Sequence, residues 1–518
     1  MKYKILITTS GIGSRLGELT DYINKSLVRI GNKPALSLII ENYPSDAEFV
    51  ITLGHYGEHV REFLNVTYPN YNFTFVEVDN YQGAGSSLGY SILQAKEHLQ
   101  CPFVFNACDT LLSDGQIVEN YLNSDFNFCL GGVRDDSSQY ATLLVDDGKV
   151  KEIKRKGEIN FDYAYTGICG IKDYDIFWDL LKRSYGGNPN DSSLHEGHII
   201  NKMLKSDVEF LFYGTEHWLD IGNVGELEKT RRLFDSFAEV LEKKEESIYF
   251  FDDYVVKFFS NSEICLNRVE RYKHLDGLIP DIVSHGNNFY KYKKADGDLL
   301  AKTVTNKKFQ DLLEWSKINL WKEKEFKNFP ALCYNFYVTK SLSRISKFLN
   351  GENDSPTRIN DIMIPSVKKL FDIIDYEWLC DGIPSGFHGD FILDNILETK
   401  DGFCLLDWRQ DFGGNLSTGD IYYDLAKLNH NLTINHEIVN KKLYGHSFEN
   451  CYILCNSKLL ECKKILKDFI IENGYDYKKV EVLTSIIWIN MAPLHEYPFN
   501  YFLFNFGKLN LYKALASD

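Results

Sequence analysis

The sequence has no apolar run long enough to cross a membrane and no excess of positive charge. A membrane-spanning helix needs about 20 apolar residues. The closest candidate, the aromatic segment 488–509, is interrupted by Pro493, His495, Glu496 and Pro498, so we expect a buried helix–turn–helix there. The chain has 57 Lys and Arg against 73 Asp and Glu, a net charge of −16. That balance disfavours nucleic acid and anionic membranes as partners.

Paired cysteine spacing, internal repeats and low-complexity tracts are also absent. The 11 cysteines are scattered, so we expect reduced thiols in a cytoplasmic protein and not a disulfide framework. The apolar run near the N-terminus reaches a glycine after a few residues, which indicates a first strand and not a secretion signal. A chain of 518 residues exceeds what one hydrophobic core usually supports, so two domains are expected. The oligomeric state stays open, a homo-oligomer included.

The pattern of apolar residues changes near residue 230. Residues 1–230 alternate short apolar runs with amphipathic stretches, which predicts a doubly wound, Rossmann-like α/β domain with a parallel sheet. The charged segment 231–247 is predicted to be a linker helix. Residues 248–518 start with a predicted hairpin, IYFFDDYVVKFF, and become mostly helical after residue 305.

The segment SGIGSRL follows the first predicted strand directly. Gly11 and Gly13 would let the backbone N–H groups approach a phosphate, and Arg15 would add a forked donor. A tight strand–helix turn is the alternative interpretation. Lys25 lies ten residues further on. Two acids, Asp109 and Asp220, follow predicted strands, where an open α/β sheet binds its ligands. This set suits one Mg²⁺ and a triphosphate.

These motifs resemble the sugar-phosphate nucleotidyltransferase family over residues 1–230. The resemblance implies transfer of a nucleoside monophosphate to an acceptor phosphate, with Arg15 and Lys25 catalytic and Asp109 and Asp220 on Mg²⁺. It implies base contacts from the loop containing Gln82, Gly83 and Ser87. It makes Lys156 an acceptor-phosphate contact, with Lys154 as a competing candidate. Asn24 stands where the family usually has proline. The small domain resembles cytidylyltransferases and simple guanylyl- or uridylyltransferases, and CTP is the favoured NTP.

The segment HGDFILDNIL, followed by LLDWR, is a second phosphate-handling pattern. Asp390 and Asn395 lie on one predicted loop, and Asp407 lies on a nearby hairpin. One carboxylate at this spacing can orient a hydroxyl, while an amide and a second carboxylate hold Mg²⁺ on nucleotide phosphates. Three surface polar residues on a loop are the alternative.

Residues 245–518 resemble the aminoglycoside phosphotransferase and choline-kinase-like family. The resemblance implies a bilobal, protein-kinase-like (α+β) domain with Asp390 catalytic and Asn395 and Asp407 on Mg²⁺. Lys257 on a strand and Glu270 on the next helix would pair to hold ATP phosphates, although a surface Lys–Glu proximity is the alternative. No glycine-rich loop precedes Lys257. Asp420 and Asp424 are expected to be structural.

Together these patterns predict a bifunctional enzyme. A kinase would use ATP to phosphorylate a small alcohol or sugar, and the N-terminal domain would join that phosphate to a nucleoside monophosphate from an NTP. Mg²⁺ is the expected cofactor, and the activated donor would serve capsule or another surface polysaccharide. One alternative is a nucleotidyltransferase that uses UTP or GTP and carries an inactive or regulatory kinase-like domain. The other is a binding module with neither site active.

Overall fold

The computed structural model describes residues 3–113, 125–234, 243–352, 354–446 and 450–516. The chain divides into two compact units. The first contains Met1–Ser262 and Val283–Tyr292, and the second contains Glu263–Ile282 and Lys293–Asp518. Within the described residues, no helix has the length and apolar character that a bilayer span requires.

A nine-stranded mixed sheet forms the centre of the first unit. Its strands in chain order are β1 Lys4–Thr8, β2 Glu48–Leu53, β3 Asn72–Glu77, β4 Phe103–Ala107, β5 Asn127–Gly132, β6 Thr142–Asp146, β7 Lys149–Lys154, β8 Tyr163–Ile171 and β9 Phe210–Thr215. Their spatial order is β3-β2-β1-β4-β8-β5-β9-β7-β6. The buried runs of β1, β2 and β4 are typical of strands covered on both faces.

The prediction of a wholly parallel sheet is wrong for the second half of this domain. Strands β1 to β4 pair in parallel, but β8 runs antiparallel to β4 and β5. Strands β6 and β7 form a hairpin across Asp147 and Gly148, which both have positive φ. Such a turn joins strands directly, so no crossover helix is needed to return the chain.

Helices connect and cover the strands of the first unit. They are Ala35–Ile40, Gly57–Thr67, Leu88–Gln94, Tyr174–Gly187, Glu196–Leu204 and Val224–Arg231, with 3₁₀ turns at Ser14–Thr20, Lys25–Leu27 and Lys96–His98. Two short pairs complete the unit, Arg29–Ile30 with Lys33–Pro34 and Thr110–Leu112 with Trp218–Asp220. The second of these pairs brings Asp220 opposite Thr110.

The predicted hairpin after the linker is present and belongs to a four-stranded sheet. Its strands are Glu246–Phe250, Tyr254–Phe259, Ile282–His285 and Phe289–Lys293. Within the first unit, the Tyr249 hydroxyl donates to the carbonyl of Leu27 at 2.7 Å, and Glu62 accepts from the N–H of Phe289 at 2.8 Å. Residues 235–242 of the predicted linker helix 231–247 lie outside the described residues.

The second unit is mainly helical. Its helices are Ser262–Arg271, Leu300–Thr303, Asn306–Asn319, Phe329–Tyr334, the π-helix Asn335–Thr339, Lys340–Phe348, Val367–Asp372, Tyr376–Cys380, Ile421–Asn431, His436–Asn440, Ser457–Glu472, Tyr477–Met491 and Phe499–Ala516, with 3₁₀ turns at Tyr272–His274, Leu393–Asn395 and Ala492–Leu494. The aromatic segment is the predicted helix–turn–helix, with its turn at Ala492–Leu494, and both helices carry buried side chains.

Short strands hold the loops of the second unit. Asp298–Leu299, Ile396–Thr399 and Gly402–Leu405 form a three-stranded sheet. The other pairs are Thr357–Ile359 with Ile362–Ile364, Pro384–Ser385 with Gly419–Asp420, and Tyr444–His446 with Cys451–Ile453. The hairpin 396–405 lies between Asn395 and Asp407, so it turns the chain back and brings these two residues to one end of the hairpin.

Candidate active sites

The glycine loop after β1 has a conformation that only glycine adopts readily. Gly13 has φ +74°, and a Cβ there would lie 2.8 Å from Cβ of Lys25. Asn24 holds the next turn, because its side-chain amide donates to the carbonyls of Thr9 at 2.8 Å and His55 at 2.6 Å. Its Oδ1 also accepts from the N–H of Ser26. Asn24, which departs from the family pattern, therefore anchors Lys25 and the glycine loop together.

Lys25, Arg15 and Asp109 meet at the carboxyl ends of β1 and β4. Lys25 Nζ lies 3.2 Å from Asp109 Oδ2, and Arg15 Nη2 lies 3.9 Å from the same oxygen. Burial alone would lower the pKa of Lys25, but the charges of Asp109 and Cys108 raise it above its ordinary value. Burial would raise the pKa of Asp109, but Lys25 and Arg15 hold it below its ordinary value. At neutral pH, both Lys25 and Asp109 are therefore charged.

Asp220 faces the same group of charges across Gly222. Its Oδ1 accepts from the Gly222 N–H at 2.8 Å. A Cβ on Gly222 would lie 3.1 Å from Asp220 Oδ1, 3.4 Å from Arg15 Nη2 and 3.5 Å from Asp109 Oδ2. Burial and the charge of Asp109 raise the pKa of Asp220. Two carboxylates that repel each other beside a glycine gap form the kind of oxygen donor set that Mg²⁺ uses together with phosphate oxygens.

A cavity of about 120 Å³ opens at this charged group. It is lined by Gly13, Ser14, Arg15, Leu16, Lys25, Cys108, Asp109, Ile221 and Gly222. Cys108, Ile221 and Gly222 were not predicted as site residues, although each is adjacent in sequence to, or two residues from, a predicted acid. Gly11 is half-buried, with open space where a side chain would project.

Lys156 lies within electrostatic reach of the charged group, whereas Lys154 is occupied elsewhere. Burial and the charge of Arg15 lower the pKa of Lys156, while Asp109 and Asp220 oppose that shift. Lys154 Nζ donates to the carbonyl of Asn160 at 2.7 Å. Of the two competing lysines, Lys156 is thus the one that the fold directs toward the acids.

The predicted base loop is exposed and ends in a capped helix. Gln82 and Gly83 are exposed, and Gly83 has φ +86°. The Ser87 hydroxyl accepts from the N–H of Tyr90 at 3.0 Å and so caps the helix Leu88–Gln94. Base contacts by these three residues stay a prediction.

Glu196 is a buried acid of the first unit that the sequence analysis did not single out. Its side chain is almost fully buried at the start of the helix Glu196–Leu204. Burial raises its pKa to about 7, and the charge of Asp109 adds to that shift. A single Glu in a run of polar residues gives no sequence signal that would distinguish it from a surface acid.

In the second unit, Asp424 organises the loop that carries Asp390. Its two carboxylate oxygens each accept a backbone N–H at 2.7 Å, one from His388 and one from Gly389. Gly389 has φ +87°, and a Cβ there would lie 2.6 Å from Cβ of Arg409. Asp420 caps the helix Ile421–Asn431 and accepts from the hydroxyl of Tyr337 at 2.8 Å. The expectation that both acids are structural is consistent with these contacts.

The structure brings Asp390, Asn395 and Asp407 together. The Asn395 amide donates to Oδ2 of Asp390 at 3.1 Å, and the Leu406 N–H donates to the carbonyl of Asn395 at 2.7 Å. Asp407, the next residue, has φ +54°. A non-glycine residue in this left-handed region is strained, and such residues are concentrated at functional sites.

Each acid of this group is paired with a cation of the same unit. Lys427 Nζ lies 2.6 Å from Asp390 Oδ1, with both side chains largely buried. Burial would raise the pKa of Asp390, but Lys427 lowers it to about 2. Arg268 Nη1 donates to Asp407 Oδ1. The sequence analysis identified neither cation, because they lie far from the motif in the chain.

Glu270 and Lys257 occupy different surroundings. Glu270 pairs with Lys273 of the following 3₁₀ turn at 2.7 Å and is half exposed. On its helix the buried basic residues are Arg268 and Arg271, and Arg271 donates to the carbonyls of His388 and Leu416. Lys257 is buried in the strand Tyr254–Phe259. A Lys257–Glu270 pair stays a prediction.

The comparisons with known proteins cover the N-terminal half of the chain. No protein-family model matches this chain. A protein named as a probable glucose-1-phosphate cytidylyltransferase of Bacillus subtilis is 28% identical over 263 residues, which are 46% of this chain and 98% of that protein. The bifunctional protein GlmU of Campylobacter lari is 23% identical over 235 residues, which are 44% of this chain. That match spans only about half, 53%, of GlmU.

Solved structures align with the same half. The CTP:phosphocholine cytidylyltransferase of Streptococcus pneumoniae is 18% identical, and the match covers 45% of this chain and all of that one with a TM-score of 0.38. The inositol-1-phosphate CTP transferase of T. maritima is 17% identical over 47% of this chain, with a TM-score of 0.39. The similarity of the N-terminal half to sugar-phosphate nucleotidyltransferases rests on the two sequence relatives.

Proposed function

We propose that the N-terminal half transfers a nucleoside monophosphate from an NTP, with CTP favoured, to a phosphorylated alcohol or sugar. The observation that supports this most is that Arg15, Lys25 and Asp109 line one cavity at the carboxyl ends of β1 and β4, with Asp220 beside it across Gly222. The sequence similarity to a cytidylyltransferase supports both the reaction and the base.

In this reaction an oxygen of the acceptor phosphate attacks the α-phosphorus of the NTP. A new P–O bond forms, the bond to the α–β bridging oxygen breaks, and pyrophosphate leaves. Lys25 stays protonated because its pKa is raised, so it and Arg15 can stabilise the charge that develops on the phosphates. Lys156 would position the acceptor phosphate. Mg²⁺, when held by Asp109 and Asp220, supplies further neutralisation of the triphosphate.

We propose that the C-terminal part of the chain phosphorylates the alcohol or sugar with ATP. The hydroxyl oxygen of the alcohol or sugar attacks the γ-phosphorus of ATP, the bond to the β–γ bridging oxygen breaks, and ADP leaves. Asp390 is ionised, with a pKa of about 2. Its main role is therefore to accept a hydrogen bond from the hydroxyl of the acceptor and to orient the attacking oxygen, and less to remove the hydroxyl proton early in the reaction. Asn395 and Asp407 are oxygen donors suited to Mg²⁺. The product of this step would be the acceptor of the first reaction, in the synthesis of capsule or another surface polysaccharide.

The test measures both products of the full-length protein. Pyrophosphate is measured with CTP, UTP and GTP against a panel of phosphorylated alcohols and sugars, and ADP is measured with ATP and the unphosphorylated panel. We expect pyrophosphate release that is fastest with CTP. If no NTP and acceptor combination releases pyrophosphate above the rate of an Arg15→Gln variant, the N-terminal proposal is wrong.

A second candidate is a nucleotidyltransferase for UTP or GTP and a sugar 1-phosphate, with a kinase-like domain that is inactive or regulatory. The ion pairs Lys427–Asp390 and Arg268–Asp407 favour it, because they already neutralise both acids. This candidate predicts binding of ATP without ADP release, so the ADP measurement separates the two.

A further inference from the structure

Three basic side chains lie together beside the loop that carries Asp390. Lys340 and Arg344 lie one turn apart on the helix Lys340–Phe348, and Arg409 follows the strand Gly402–Leu405. We call these three residues the cationic cluster. Lys340 Nζ lies 4.7 Å and Arg409 Cζ lies 5.1 Å from the centroid of the Phe336 ring. Two cations are therefore gathered at a single aromatic ring, within the second unit.

Within the described part of the chain, the cationic cluster lacks the ion pairs that would neutralise its charges. Among residues 243–352, 354–446 and 450–516 of the described chain, no carboxylate forms an ion pair with any of the three. Arg344 makes one long hydrogen bond, 3.5 Å to the carbonyl of Asn490. Arg409 Nε is buried and has no hydrogen-bond partner in the described structure. The three side chains are partly buried. Positive charge that is withdrawn from water without a partner is costly, so an anion that completes the cluster would be stabilised there.

The pKa values in the cluster reflect the same excess of positive charge. Burial, with the charges of Arg409 and Arg344, lowers the pKa of Lys340 to about 7, and only Asp411 opposes the shift. Burial and Arg409 also lower the pKa of Arg344. Asp411 itself accepts the N–H of Gly414 at 2.9 Å.

The cationic cluster begins next to Asp390. The Arg409 N–H donates to the carbonyl of His388 at 3.1 Å, and its side chain packs where a Cβ on Gly389 would project. Tyr423, which packs edge-on against Phe336 at 4.9 Å, lies one helical turn before Lys427, the partner of Asp390. A small molecule with its hydroxyl at Asp390 would therefore have its other groups within reach of the cluster.

We propose that the cationic cluster is an acceptor subsite and that the compound phosphorylated at Asp390 is an anionic hydroxy compound, one that carries a carboxylate or a phosphate. This rests on the proposed kinase function. Lys340, Arg344 and Arg409 would bind the anion through charge-assisted hydrogen bonds. A quaternary ammonium acceptor would meet three cations there, and Phe336 is already covered by two of them.

The test is calorimetric titration of the full-length protein with matched probes. D-Glycerate, glycerol 3-phosphate and inorganic phosphate are the anions, while glycerol and choline are the neutral and cationic controls. We expect at least one anion to bind and glycerol and choline to bind at least about tenfold more weakly, the equivalent of one charged hydrogen bond. Arg344→Gln and, independently, Lys340→Gln should each lower the affinity for the anion by about tenfold or more. Lys347→Gln, an exposed cation of the same helix, should leave it unchanged.

Three outcomes overturn the inference, and none of them is the same as failure of the kinase. If no anion binds in a way that depends on Arg344 or Lys340, the cluster is not an anion subsite. If Arg344→Gln lowers the affinity for a non-hydrolysable ATP analogue as much as it lowers the affinity for the anions, the cluster binds nucleotide phosphate. Anion binding that depends on the cluster, without ADP release from any probe, would support the subsite and refute the kinase. ADP release with choline that is unaffected by Arg344→Gln would do the reverse.

Discussion

In the first unit Asp109 is paired with Lys25 and Arg15 but Asp220 has no ion pair among the described residues, whereas in the second unit Asp390 and Asp407 are each paired with a basic side chain. Asp220 keeps a raised pKa and forms no ion pair within the described residues. Asp390, in contrast, has its pKa lowered to about 2. In the first site Asp220 is thus without a cationic partner among the described residues, and in the second both carboxylates are neutralised, by Lys427 and Arg268.

This difference has a functional consequence. The first arrangement is prepared for a polyanion and a cation that arrive together. In the second, a metal ion has to share or replace Arg268 at Asp407. The cationic cluster of the second unit is a group of basic side chains that has no ion pair among the described residues. The predictions below test whether the two sites differ in this way.

The largest expected effect is on the first site. Asp109→Asn should lower pyrophosphate release by about a hundredfold to a thousandfold, the cost of removing a preorganised electrostatic group. It removes the partner of Lys25 and a carboxylate that lines the cavity. ADP release should stay unchanged, and the exposed acid variant Asp146→Asn should leave both products unchanged. A loss of ADP release equal to the loss of pyrophosphate release would mean that the two sites do not act independently.

A second effect is expected at the Arg268–Asp407 pair. Arg268→Gln removes the cation that competes with a metal for Asp407. The Mg²⁺ concentration that half-saturates ADP release should fall by about tenfold, since one charged hydrogen bond no longer opposes binding. Lys273→Gln, which removes an exposed partner of Glu270 near the end of the same helix, is the control. A lower rate with the same Mg²⁺ dependence would show that Arg268 is needed for another reason.

The cationic cluster should give anion binding a pH dependence. Lys340 has a pKa of about 7, lowered by burial and by Arg409 and Arg344, against the effect of Asp411. A bound anion favours its protonated form, so affinity should be highest below pH 7 and should fall as the pH rises through 7. We expect a loss of about tenfold for D-glycerate between pH 6 and pH 8 in the wild type. The affinity of the Lys340→Gln variant should not change over this pH range. A wild-type affinity that does not change with pH would contradict the proposed role of Lys340.

The smallest effect is expected at Glu270. Because its carboxylate is exposed and paired with Lys273, Glu270→Gln should change neither ADP release nor the thermal midpoint measurably. A kinase-type pair with Lys257 predicts the opposite, a large loss of ADP release. The same assay with Lys257→Gln completes the comparison, since a loss in Lys257→Gln alone would show that Lys257 acts without Glu270.

Local sequence patterns predicted much of the fold and the composition of each acid group. Strands β1, β2 and β4 follow the apolar runs because these runs are buried on both faces. Asp390, Asn395 and Asp407 meet because a loop and one short hairpin separate them. The β6–β7 hairpin was missed, although the Asp147–Gly148 pair is a recognised turn signal.

Contacts between distant segments could not be predicted. Lys427 and Arg268 reach Asp390 and Asp407 from helices far away in the chain. On the helix Ser262–Arg271, the sequence does not distinguish Arg268 from Glu270 as a site residue. Tertiary packing buries the arginine. The cationic cluster joins two chain segments that share no motif, so only the folded arrangement shows it.

The most direct test of two separate activities is the simultaneous measurement of ADP and pyrophosphate from the full-length protein and its Asp390→Ala variant. The account predicts that wild-type protein releases both, and that Asp390→Ala loses ADP release while it keeps pyrophosphate release from a supplied phosphorylated acceptor. Retention of both products in Asp390→Ala, or absence of ADP release from the wild type with every acceptor, would contradict the claim that this chain carries a kinase.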